Sequence, residues 1–235
     1  MDAIAEWQGV DYRRFQNEIV GGDRPAILRD AVAHWPAVKA SGESFAALVD
    51  YLKPLCKPGP VTALVADPSV EGRFFYRHDL RGVNFQRGQT ELANAMDRLL
   101  ETASMDRPQA IAIQAVPIRE RLPSFEEHNP QSLLPTDVAP TLWMGNRGTV
   151  APHFDVHDNL ACVVAGARRF TLFPPEQAAN LYPGPALFTP AGVPVSMVDL
   201  SRPDLALYPK FTQALVTAQQ SLLQPGDVIY MPALW

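Results

Sequence analysis

The chain has 235 residues, 47% hydrophobic and 19% charged, which is enough for one large domain or two small ones and too apolar for wholesale disorder. Twenty Lys and Arg against 25 Asp and Glu leave a formal charge of −5, so the basic face of a dedicated nucleic-acid binder is missing. The 23 prolines, about twice the usual share, argue against a helical bundle and for many turns and short strands.

In chain order, Asp11–Ile19 reads as a first helix, stopped by Gly21-Gly22, and Pro25–Arg29 as a strand. Ser44 is placed to cap a helix over FAALVDYL that ends before Pro54. Val61–Ala66 and Gly72–Tyr76 read as a strand pair around Asp67-Pro68. Thr90–Thr102 has helical spacing, with Leu92, Met96, Leu99 and Leu100 on one face, and Ala110–Val116 alternates as a strand. A Pro-rich connection runs from Pro117 to Pro140.

From Thr141 the texture changes to strands and tight turns. Thr141–Met144, Val156–Val164, Arg168–Phe173 and Asp227–Met231 are strand candidates. Ala165-Gly166-Ala167 predicts an antiparallel hairpin between the second and third of these. Pro175–Leu181 suggests a helical turn or two. Residues 182–208 form a long Pro-rich excursion, and excursions of that length on a β scaffold are more often functional than idle. The pattern predicts an α+β chain with a mainly β core. Residues 1–140 form an N-terminal helical and strand elaboration, residues 141–235 the core, and the two one structural unit.

The N-terminus MDAIAEWQGVDYRRF has acids where a signal peptide wants bases, and no apolar run approaches the ~18 residues that span a bilayer. Cys56 and Cys162 are expected to be free thiols in a reducing, cytoplasmic setting.

The stretch GNRGTVAPHFDVHDNLACVVAGARRFTLFPP, residues 145–175, carries the chemistry. His153 and Asp155 stand at i and i+2, which on a strand turns both side chains to one face. One imidazole and one carboxylate are two-thirds of the 2-His-1-carboxylate set that leaves positions open on Fe(II). By the same parity His157 and Asn159 would share that face. H-x-D by itself is weak evidence, since a surface His beside a capping Asp gives the same spacing. Arg168, Phe170 and Leu172 would share a face across the turn, and an inward guanidinium suits a dicarboxylate. Arg168 and Arg169 beside a turn could equally be solvated.

The sequence resembles the cupin-like JmjC branch of the Fe(II)/2-oxoglutarate-dependent oxygenases, the group that includes the asparaginyl hydroxylase acting on hypoxia-inducible factor. Four blocks match in order: PAILRDAVAHWPAV (25–38), residues 141–175 continuing into the run through Gln177, LYPGP (181–185) and QPGDVIYMPALW (224–235). The resemblance implies a double-stranded β-helix, with His153 and Asp155 as the first two iron ligands. It places Asn159 near 2-oxoglutarate. Arg168 falls where the relative has a lysine for the distal carboxylate, and Arg169 takes that place if the register slips by one. Val150 stands where a hydroxyl residue is expected, and AIAIQ (110–114) lacks a tyrosine of the relative.

The third ligand, a second histidine, is expected about three residues beyond Trp235. The resemblance therefore implies that the last barrel strands and any dimerisation helices also lie outside these residues, with weak iron binding and turnover for this chain. The implied activity is hydroxylation of a protein side chain or a small molecule, with 2-oxoglutarate decarboxylated to succinate. A longer chain would form a homodimer. The rival readings are a non-catalytic cupin-like binding module and a metal-dependent cupin isomerase or lyase.

Overall fold

The computed structural model describes residues 1–235. Twelve short strands are present: β1 (Ala5–Trp7), β2 (Ala26–Leu28), β3 (Pro60–Ala66), β4 (Arg73–Phe74), β5 (Gln86–Glu91), β6 (Ala110–Pro117), β7 (Thr141–Gly145), β8 (Thr149–Val150), β9 (Asn159–Cys162), β10 (Arg168–Leu172), β11 (Gln219–Leu223) and β12 (Val228–Met231). Helices and antiparallel sheets mix as an α+β chain requires. No helix is long and apolar enough to cross a membrane. The chain folds as two compact units, each built from separated segments. One comprises Met1–Ala33, Tyr76–Gly82 and Ala151–Trp235; the other comprises His34–Phe75 and Val83–Val150.

The second unit is a four-stranded antiparallel sheet in the order β5-β3-β6-β7, with short helices. Ser44 caps the helix Phe45–Leu52 as its sequence predicts, accepting from the Ala47 amide at 3.0 Å. The helix Leu92–Thr102 buries Leu92, Met96 and Leu99, but its first turn is strand: Thr90 pairs with Val61. The expected pairing of Val61–Ala66 with Gly72–Tyr76 does not form. Asp67 caps a 3-10 turn over Pro68–Val70, and Glu71 leaves it at φ 50°. That exit aims Arg73–Phe74 at β8, in a parallel pair, while β5 and β6 flank β3.

The first unit carries the expected site residues. Its strands form a four-stranded sheet, β1-β2-β12-β9, and a two-stranded one, β10-β11. The predicted hairpin between β9 and β10 is absent: β9 pairs with β12, and β10 with β11. The reason lies at Val163. Its N–H donates to Asp227 O and its carbonyl accepts from Gly226 N, both at 2.9 Å. The end of β9 is thereby committed to the 224–227 turn, and Gly166 at φ 66° carries the chain across to the other sheet. The turn residues announced a reversal correctly, but a reversal does not choose a partner.

One apolar interior joins the two sheets. Ile4, Ile27, Val163, Leu172, Leu223 and Ile229 are its buried members, and Ala161, Phe170, Met231 and Trp235 pack against it. The opposite face of β12 is covered by the helical segment Tyr12–Ile19, whose Phe15 meets the Tyr230 ring edge-on at 5.6 Å.

A buried carboxylate fixes the turn that starts β12. Asp227, 3% exposed, accepts from Arg29 Nη1 at 2.5 Å, from Asp30 N at 3.2 Å and from Gln224 N at 2.9 Å. Arg29 also pairs with Glu6 on β1. Glu6 is thereby held below the usual carboxylate range, chiefly by its hydrogen bond from Arg29, and the guanidinium is pushed further up. Gly226 sits at φ 101°, where an added Cβ would lie 3.0 Å from the Ala33 side chain.

Replacing Asp227 by Ala leaves the Asp30 and Gln224 amides without their acceptor and takes one of two carboxylates from Arg29, which keeps Glu6. We expect a loss of about 1–3 kcal/mol in urea unfolding, the range for leaving a buried polar group unsatisfied. Leu223→Ala, at a fully buried core position, should cost about 2–5 kcal/mol by the same measurement.

Candidate metal and cosubstrate site

Residues 151–158 are irregular, and β9 begins only at Asn159. The strand expected from Val156 is therefore shorter, and the parity that was to align His153, Asp155 and His157 does not operate here. Side chains hold the loop in place of a ladder. His153 Nδ1 lies 2.9 Å from Ala151 O. A carbonyl only accepts, so Nδ1 carries the proton and Nε2 keeps a lone pair in the neutral ring. Asp155 is exposed, and its Oδ2 accepts from Asn159 Nδ2 at 3.0 Å. Its backbone carbonyl accepts from Leu234 N at 2.8 Å.

Asn159 thus orients Asp155 with its amide nitrogen, which also reaches His157 O at 3.3 Å. By its register opposite Met231, and two residues before Ala161 opposite Ile229, it lies on the face that lines the apolar interior. Arg168 pairs with Leu223, which is fully buried, whereas Arg169 pairs with Leu222, which is 45% exposed. Arg168 therefore stands on the core side of β10, with its guanidinium 5.6 Å from the Phe170 ring centre. Water still reaches its side chain, but the surrounding protein pushes the guanidinium down from its ordinary value by desolvation.

A neutral imidazole with a free Nε2 and a hydrogen-bonded carboxylate are the donor types that Fe(II) takes, each already oriented by a partner of its own. The donor chemistry of His153 and Asp155 fits such an ion. His157 is exposed, and no group of three or more His, Cys, Asp or Glu side chains converges here or elsewhere.

The excursion after Leu181 is anchored at its base beside this loop. Ser196 N donates to Pro152 O at 2.7 Å, and Met197 N to Tyr182 O at 2.9 Å. Tyr76, 4% exposed, donates from its hydroxyl to Pro185 O at 2.9 Å and accepts there from Val195 N at 3.4 Å. Val195 and Val198 are buried, while Leu187 is 83% exposed at the tip.

Two residues escaped the sequence reading. Asp158 accepts from Tyr230 Oη and from Ala233 N, both at 2.8 Å. These partners are 72 and 75 residues away, so no spacing rule marks them. Burial, reinforced by the Asp158 carboxylate, pushes the Tyr230 phenol well above its usual value.

Against known proteins, the family model described as a cupin-like domain matches residues 12–235. The chain belongs to the cupin-like domain family, and its relatives mark it as JmjC-type. It is 28% identical over 251 aligned positions to the human bifunctional peptidase and (3S)-lysyl hydroxylase JMJD7, covering 94% of this chain and 74% of that one. It is 40% identical over 83 residues to the zebrafish tRNA wybutosine-synthesizing protein 5, covering 35% of this chain and 23% of that one. Over 94 residues it is 40% identical to the fly Jumonji C domain-containing protein 5, covering 40% of this chain and 22% of that one. The matched region thus spans under a quarter of the length of the zebrafish and fly relatives.

Tyr230 should release its proton above the ordinary tyrosine range in a phenolate absorbance titration, and Tyr230→Phe should remove that late step. The unfolded chain releases this proton near the ordinary tyrosine value, about 10. Below that pH the contribution to stability is complete, and it is lost as pH rises through the folded value.

Proposed function

We propose that the chain carries the core of an Fe(II)- and 2-oxoglutarate-dependent oxygenase that hydroxylates a protein side chain or a small molecule. The observation that carries the reading is that Asn159 and Arg168 stand on the inward sides of their strands by register, and that Asn159 bonds Asp155 in the loop that also holds His153. The name of the human relative, which includes (3S)-lysyl hydroxylase, favours a protein side chain over a small molecule. In this reading residues 141–235 are a double-stranded β-helix core, supported by the nested pairing of β9 with β12 and β10 with β11. Residues 1–140 are its elaboration. The two unbonded cysteines suit a cytoplasmic setting, and homodimerisation would belong to a longer chain.

His153 Nε2 and Asp155 would supply two of the protein ligands. Bound iron with 2-oxoglutarate supplies the oxidising power for hydroxylation. The chain's own residues do the rest. Ala151 O fixes the His153 ring, and Asn159 fixes the Asp155 carboxylate. Arg168 offers a partly desolvated fork for a carboxylate, where a charge-assisted pair gains strength. Leu172, Leu223 and Ile229 line the apolar interior that this side of β10 borders.

A second reading, a binding module that takes a dicarboxylate without redox chemistry, is favoured by the absence of a third convergent metal-type side chain. Succinate release from 2-oxoglutarate, assayed with Fe(II) and oxygen, separates the two readings. Arg168→Ala should raise the 2-oxoglutarate concentration needed about tenfold or more, with the maximal rate less affected. An unchanged requirement removes this role from Arg168. Calorimetric 2-oxoglutarate binding without oxygen-dependent succinate release supports the binding module.

A further inference from the structure

The loop 153–158 has no sheet ladder to hold it, so its position depends on its few discrete bonds. Two of those bonds end on one side chain. Asp158 takes the Tyr230 hydroxyl on Oδ2 and the Ala233 amide on Oδ1. The next amide, Leu234 N, donates to Asp155 O. Leu234 adopts φ 69°, a left-handed conformation that a leucine takes only when its surroundings impose it. Trp235 then packs against the apolar interior. The end of β12 and the segment after it are therefore fastened to the loop at three points within five residues.

We propose that Asp158 is the positioning residue of the site: its carboxylate clamps the segment after β12 so that the Leu234 amide holds the Asp155 backbone. The proposal rests on the reading of His153 and Asp155 as metal ligands. Asp158 need not touch metal or substrate. Its Oδ1 fixes Ala233, Ala233 sets the amide direction of Leu234, and Leu234 fixes Asp155. The Tyr230 arm anchors the same carboxylate to β12, whose ring side is held by Phe15. The two arms differ in consequence. The Ala233 arm leads to Asp155, whereas the Tyr230 arm only steadies Asp158. A carboxylate present merely for stability would make the two arms equivalent.

Two variants of the 235-residue chain separate the arms. Asp158→Ala removes both acceptor oxygens at an exposed position, and with them the Ala233 bond. Tyr230→Phe removes only the hydroxyl and keeps the ring on Phe15. Two readouts are taken: amide hydrogen exchange at Leu234, and Mn(II) binding by calorimetry as a stand-in for Fe(II).

Asp158→Ala should accelerate Leu234 exchange about tenfold and weaken Mn(II) by about tenfold, the lower end for loss of a group that supports a metal ligand. Tyr230→Phe should leave both within about twofold, which is the signature that global destabilisation would not give. The proposal is overturned if Leu234 is unprotected in the unaltered chain, if Asp158→Ala leaves its exchange unchanged, or if both variants accelerate it equally. It is also overturned if Leu234 responds as expected while Mn(II) affinity, measurable in the unaltered chain, stays the same. If the unaltered chain binds no Mn(II), the ligand reading fails, and with it the role of Asp158 at a metal site. The exchange data then decide the clamp alone.

Discussion

A single buried carboxylate sets the frame. Asp227 stands where the 224–227 turn, β2 and the end of β9 meet, and it cannot be stable there without its partners. Arg29 brings the compensating charge, and the Asp30 and Gln224 amides satisfy the remaining lone pairs. With that turn fixed, Gly226 and Asp227 capture Val163, β12 lies between β2 and β9, and β10 is released to pair with β11. The charge pair also reaches β1 through Glu6, so one guanidinium ties three segments that are distant in sequence. Breaking it would free the register of the whole sheet, not one contact.

Beside this rigid frame the protein places an irregular loop. A strand would have satisfied the backbone of residues 151–158 automatically, but it would have spaced its side chains in line. The loop turns His153 and Asp155 independently, each by its own hydrogen bond, at the cost of needing partners from elsewhere. His153 finds its partner within the loop, at Ala151 O, and the others come from the start of β9 and from the segment after β12. The site therefore inherits its geometry from the sheet order that Asp227 enforces.

The apolar interior has two uses. It joins the two sheets through Ile27, Leu172, Leu223 and Ile229, and it lowers the local polarity felt by the one cation on its wall, Arg168. A guanidinium in that position is poorly hydrated on one side and so has more to gain from an anion. The excursion anchored at Ser196 and Tyr76 shows the same division: a buried, hydrogen-bonded base and an exposed apolar tip.

Much of this was legible in the sequence. Period and caps placed the helices over Phe45–Leu52 and Leu92–Thr102 and most of the strands, because those signals act over a few residues. Four ordered blocks carried the family, and the alternation through Arg168, Phe170 and Leu172 turned Arg168 to the core side. Strand pairing was not legible. Ala165-Gly166-Ala167 reverses the chain whichever partner β9 takes, and the choice was made by Asp227 and Gly226, some 60 residues downstream. Nor could parity describe residues 151–158, since parity holds only where a ladder exists. Asp158 stayed unmarked because a carboxylate reveals its role only through the donors that reach it. The sequence by itself determined the elements, the family and the chemical types at the site. The tertiary structure decided the partners, because hydrogen bonds between distant segments depend on which chains meet and not on local spacing.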